Sequence, residues 1–190
     1  MSIRLNFEKF VAIVFVLSLL LVSGCVPSLH PLYGPNTKLI IEPSLDGTWI
    51  NESGNESWDF HQAGDSTYEL LYAQDESAAH FVARVFKLDG KLYMDTYPDE
   101  EIDNDFYKLH LVPAHIFGRV WIDGDSLKMN MLDGEWLETM IDSDELTIAH
   151  EVIDGGTVLT ASTDDLQNLA IKYADDPEAF SNLVALKKVF

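Results

Sequence analysis

Hydrophobic and polar positions divide the 190-residue chain into three regimes. The first is an apolar run from Phe10 to Val22, broken only by Ser18. Arg4 and Lys9 precede it, with Glu8 diluting their charge, and it leaves through the small residues of Val22-Ser23-Gly24-Cys25. A short positive region, an apolar core and a small-residue exit follow the order of a secretory signal. The run is too short to cross ~30 Å of hydrocarbon comfortably, and polar sequence takes over at once. Residues 1–24 are therefore expected to be removed on export.

The second regime, from Asp46 to Thr160, alternates apolar and polar residues with period two. Trp58 and Phe60 alternate with Asp59 and His61; Tyr68, Leu70 and Tyr72 with Thr67, Glu69 and Leu71; Leu127, Met129 and Met131 with Lys128 and Asn130. Phe81, Ala83 and Val85 face away from Val82, Arg84 and Phe86, and Ile116, Val120 and Ile122 flank Gly118. Leu146 and Ile148 lead to a last short run, Val158 to Thr160. Such alternation marks strands with one buried face. The punctuation agrees, with Gly54-Asn55, Gly64-Asp65, Asp89-Gly90, Asp123-Gly124 and Gly155-Gly156 between runs. Asp-Gly is a strong hairpin signal because glycine accepts the positive φ of a tight turn. Pro113 has no N–H for a ladder and is expected at a bulge or corner.

The third regime is helical. Glu135–Ile141 sets Trp136, Leu137, Met140 and Ile141 on one side, a short helix expected to cap one end of the sheet. Ser162-Thr163-Asp164-Asp165 reads as a capping-box variant before Leu166, Leu169, Ala170 and Tyr173 at i, i+3, i+4 and i+7. Asp176-Pro177 is expected to stop that helix and start another. Pro27, Pro31, Pro35 and Pro43, with Gly34, deny regular structure to residues 25–45, which read as a semi-extended tether. The expected fold is mainly β: an antiparallel meander of about eight strands over residues 46–161, closed into a barrel so that no edge stays exposed, with a helical tail over 162–190.

Composition narrows the function. The whole chain carries 12 Lys+Arg against 32 Asp+Glu; loss of Arg4, Lys9 and Glu8 with the signal leaves 10 against 31, a formal charge of −21. Such a surface repels nucleic acid, which is bound by neutralising phosphates with Lys and Arg. A single cysteine, Cys25, leaves no intrachain disulfide to be formed, although exported domains often carry them.

Val22-Ser23-Gly24-Cys25 resembles the lipobox of bacterial lipoproteins. The resemblance implies a diacylglyceryl group on the Cys25 thiol and an acyl group on its amine, so that the membrane is a partner through the lipid. Buried acyl methylenes are worth ~0.8 kcal/mol each, and two chains hold firmly. Val26 stands where an Asp would retain such a protein at the inner membrane, which implies the outer membrane, facing the periplasm. Gly47-Thr48-Trp49 resembles the Gly-x-Trp opening of lipocalin-like barrels, in which the Trp plugs the closed base. Cys25-Val26-Pro27-Ser28-Leu29-His30-Pro31-Leu32-Tyr33, together with Gly47-x-Trp49, Phe86-x-Leu88-x-Gly90, Leu109, Pro113 and His115, resembles a family of uncharacterised bacterial lipoproteins. That implies export and anchoring, and no activity.

Candidate chemistry is sparse. His61, His80, His110, His115 and His150 are scattered without the spacing of a metal site. The acidic run Asp99-Glu100-Glu101-Ile102-Asp103-Asn104-Asp105 lacks the glycine and closing glutamate of an EF-hand loop. No Gly-x-Ser-x-Gly, P-loop or dinucleotide-binding pattern is present. No catalytic residue, metal or further cofactor is assigned. Trp49, Trp58, Phe60, Tyr68, Tyr72, Phe81, Phe86, Tyr93 and Phe117 are the candidates to line a cavity for a small apolar ligand or acyl chain. Alternatively they fill the barrel, since about eight strands enclose just enough room for side chains. The chain then docks an envelope protein with its outer face. A hydrolase is the third reading, and it requires His and Asp side chains converging in a cleft.

Overall fold

The period-two runs are strands. A computed structural model describes residues 24–99, 103 and 111–190; the signal run, His110 and most of the acidic stretch 99–105 lie outside the described residues. In chain order the elements are β1 (Leu39–Ile40), β2 (Gly47–Ile50), β3 (Glu56–Ala63), β4 (Thr67–Gln74), β5 (Ser77–Leu88), β6 (Lys91–Pro98), β7 (Ile116–Asp123) and β8 (Ser126–Met131). They continue with α1 (Gly134–Asp142), β9 (His150–Ile153), β10 (Gly156–Leu159), α2 (Thr163–Lys172) and β11 (Asn182–Lys188). Strands β2 to β8 form an antiparallel meander, and β11 pairs with both β8 and β2 to shut it into an eight-stranded, lipocalin-like barrel. Strand β1 is an extra strand beside the upper end of β5, pairing Leu39 with Phe86 and Ile40 with Val85. At the β5–β6 turn both Asp89 (φ 46°) and Gly90 (φ 75°) are left-handed, the pair of conformations that a twisted two-residue hairpin needs.

Two cores lie on opposite faces of the sheet. Trp49, Phe60, Tyr68, Leu70, Val85, Met94, Leu127 and Leu186 face inward and are buried together. Phe86, Tyr93 and Phe117 alternate with them and face outward, where Leu32, Leu132, Leu137, Leu159, Leu166, Leu169 and Phe180 cover them. The end of the barrel where β2 starts is plugged. Trp49 Nε1 donates to the Leu45 carbonyl at 2.8 Å, and the Lys188 ammonium lies 5.0 Å from the centre of its ring.

Several expectations change. The tail is helical only over Thr163–Lys172, where Ser162 caps the helix by accepting from the Asp165 N–H at 3.2 Å. Residues after Pro177 make a turn, with Asp176 Oδ1 accepting from the Glu178 N–H at 2.9 Å, and Asn182–Lys188 is the closing strand. The hairpin β9–β10 forms a separate two-stranded sheet outside the barrel. Helix α1, capped by Asp133, buries Leu137 in the outer core, so it covers the wall instead of an end. Pro113 precedes β7 and lies outside any strand. The tether keeps its lack of long regular elements and packs on the body: Val26, Ser28 and Leu32 are buried, and Tyr33 lies against the outer core. Backbone hydrogen bonds join Ser28 to His115, and both Pro27 and Leu29 to Leu159.

Candidate functional site

Cys25 lies at the end of the barrel opposite the Trp49 plug. A β-bridge pairs it with Asp133, the Val26 N–H reaches the Leu132 carbonyl at 3.4 Å, and its Sγ sits 2.8 Å from Met131 Sδ. Gly134 permits this close approach, because a Cβ there would stand 3.0 Å from the Gly24 carbonyl oxygen. Burial pushes the thiol pKa up from 9.0, and the neighbouring Asp133 carboxylate adds to it. A thiol so placed is protonated near neutral pH and poor as a nucleophile or metal ligand.

The segment after Cys25 is fastened by a buried polar clasp. Asp95 (1% exposed) projects from β6 into the outer core and uses both carboxylate oxygens. Oδ2 accepts from the Leu32 N–H at 2.8 Å and Oδ1 lies 2.7 Å from His115 Nδ1. His115 (8% exposed) is packed by the Tyr97 ring, with centroids 4.5 Å apart, and by the edge of Tyr33 at 6.4 Å. Arg84, which pairs with Asp95 across the sheet, places its guanidinium 5.2 Å from the Tyr33 centroid. Sequence reading noted His115 and missed Asp95; the signal was a carboxylate at an otherwise apolar position of a strand. A carboxylate orienting an imidazole is two-thirds of a hydrolytic triad. The nearby Ser28 hydroxyl, however, is fully buried and donates to the His30 carbonyl at 2.8 Å. The arrangement is built to hold residues 28–33 against β6 and β7.

The nine aromatic candidates divide between the two cores. Trp49, Trp58, Phe60, Tyr68, Tyr72 and Phe81 belong to the barrel interior, while Phe86, Tyr93 and Phe117 lie under the helical layer and line no barrel cavity. The interior rings pack on each other. Trp58 meets Tyr72 edge-on at 5.4 Å, Phe60 meets Tyr68 at 6.3 Å, and Trp58 lies 6.1 Å from Phe60. Trp49 and Phe60 are fully buried, and only Tyr72 and Phe81, toward the Cys25 end, are half-buried. Tyr93 donates to the Ala170 carbonyl at 3.0 Å, and burial pushes its hydroxyl up to about 12.

The remaining histidines are dispersed. His61 pairs with Asp59 at 3.1 Å on the surface, His80 is exposed, and His150 Nδ1 lies 2.9 Å from the Ile148 carbonyl. Among the described residues no three His, Cys, Asp or Glu side chains converge as a metal site would require.

The outer wall carries the open surfaces. A groove of about 630 Å³ runs along β8 between Trp121 and Leu183, with Lys128, Asn130, Pro177 and Ser181 in its walls. Trp121 is 40% exposed and Leu183 58%, both large apolar side chains turned to solvent. Arg119 reaches from β7 to the Ala174 carbonyl and to Asp175, and its guanidinium lies 4.5 Å from the Trp121 ring centre. No family model matches the chain, and no curated protein or solved structure is significantly similar to it.

Proposed function

We propose that this chain is an exported, non-catalytic envelope protein, anchored by lipid on Cys25 to the outer membrane and facing the periplasm, whose barrel is a solid scaffold for docking another protein. The observation that carries the docking reading is the packed interior: inward rings meet edge to face, and the Trp49 plug lies beside them across the β2–β3 ladder. The exposed Trp121 and Leu183 of the outer wall supply the aromatic and aliphatic anchors on which docking surfaces depend. The clasp supports anchoring at Cys25, because it brings residue 25 directly onto the body and so sets the domain close to the bilayer.

Tyr72, Phe81, Ile116 and Val184 are half-buried near Cys25, and they favour a second reading in which an apolar ligand or acyl chain enters at that end. Tryptophan fluorescence separates the two. The docking reading expects no saturable change on titration with a long-chain fatty acid, whereas Trp58→Ala, which hollows the same end, gains one. Saturable quenching of the unmodified protein would establish the ligand reading instead.

A further inference from the structure

Closure of the barrel is incomplete along one strand. Strand β11 pairs with β8 over its whole length, from Asn182 opposite Met131 to Lys187 opposite Ser126. Against β2 it pairs only Lys187 with Ile50 and Lys188 with Trp49, followed by the Val189 N–H to the Thr48 carbonyl at 2.9 Å. The β2–β3 hairpin turns back at Asn51 and leaves the first part of β11 alone on that side. Ladder alternation decides which groups are stranded. Val189 bonds toward β2 and Lys188 toward β8, through its N–H to the Asp125 carbonyl at 2.9 Å. Counting back by twos, the N–H and C=O of Leu183 and Ala185 point into the seam. Among the described residues neither takes a backbone partner there.

The seam is a groove of about 540 Å³, with Glu52 and Glu56 on one bank and Leu183 to Leu186 on the other. We infer that this edge is a strand-addition site for an extended, basic peptide segment of a partner protein, a reading that rests on the docking function and names its surface. Two features specify the occupant. The unpaired donors and acceptors of Leu183 and Ala185 match only another extended backbone, the pattern of β-augmentation. Glu52, the exposed carboxylate of the bank, on a chain with 32 acidic against 12 basic residues, selects a positively charged strand and opposes a second copy of this one. Val184 and Leu186 face the barrel interior and Leu183 faces out, so a segment alternating apolar and basic residues fits the pleat.

The test is calorimetric titration of the full chain with a peptide of about six residues alternating valine and lysine. Its matched control is the same peptide N-methylated at alternate amides. The expected result is saturable binding of the first and at least about tenfold weaker binding of the second, since methylation removes the edge hydrogen bonds. Ala185→Pro deletes one seam-facing N–H and leaves the β8 ladder intact, so it reproduces that loss, with near-ultraviolet circular dichroism checking the fold. Glu52→Lys, on the exposed bank, weakens binding several-fold. Equal binding of both peptides overturns the edge site while leaving docking on another face to its own tests. Absence of binding by the unmethylated peptide overturns it as well.

Discussion

Asp95 holds two partners at once, and its removal strands both. Asp95→Ala leaves the Leu32 N–H and the His115 Nδ1 unpaired in a buried site, at a cost of about 3 kcal/mol. Denaturant melts measure that loss, and hydrogen exchange should show residues 28–33 opening first; unchanged exchange there would contradict the clasp. Tyr93 supplies a pH dependence. Its folded-state pKa is raised from 10 to about 12 by burial, so the neutral hydroxyl is the stabilised form. The stabilisation is complete below the unfolded value near 10 and is lost as pH rises through about 12. Absorbance titration of tyrosinate should therefore track unfolding in that window, and Tyr93→Phe should lessen the dependence, leaving the share of Tyr33, Tyr68 and Tyr72, whose pKa burial also raises. Gly118 is a steric requirement: a Cβ there would lie 2.7 Å from the Asn130 carbonyl oxygen. Gly118→Ala should destabilise by about 2 kcal/mol in thermal melts, because backbone and not a flexible side chain must yield. Of these residues the sequence marks Gly118, flanked by apolar residues in an alternating run, with Tyr93 among the aromatic candidates and His115 among the histidines, and gives no sign of the role of Asp95. Asp95 and His115 lie 20 residues apart, and the register of β6 against β7 that joins them is not written in either segment.

At the scale of elements, strands β3 and β4 were legible because their inward residues, Trp58 and Phe60 opposite Tyr72 and Leu70, alternate cleanly with polar ones. Strand β11 was not. Its sequence, Asn182 to Lys188, puts an exposed Leu183 beside half-buried Val184, which blurs the period of two. Its strand state comes from pairing with β8, some fifty residues earlier in the chain, and tertiary contacts of this kind override local preference. The same blindness hid Lys188, whose ammonium faces Trp49 only because β11 lies next to β2. The seam follows from that pairing too. With few bonds to β2, β11 should exchange its amide hydrogens faster at Leu183 and Ala185 than at Val184 and Leu186, which bond to β8. Equal protection along the strand would mean that the seam is shut. The aromatic candidates show the limit of alternation: it separated Phe86 and Tyr93 from Val85 and Met94, yet could not say that both faces of this wall would be buried.

For the whole molecule, the anchor and the scaffold are joined through one short segment. Residues 25–33 run from the proposed lipid site straight into the clasp; with the proposed anchor on Cys25, that end of the barrel would face the membrane and the seam would be presented beside it. Cys25→Ser should leave the fold unchanged and either release the chain from membranes or leave its signal uncleaved. A cleaved variant that still fractionates with the outer membrane would remove the anchor from the account. The formal charge of −20 over the whole chain sets the sign expected of a charged partner. The most direct measurement is native mass spectrometry of the protein extracted from its own cells. A chain beginning at Cys25, carrying covalent acyl mass and no other small molecule, is the predicted result. Repeated recovery of a non-covalent lipid, or of a chain with residues 1–24 intact, would contradict it.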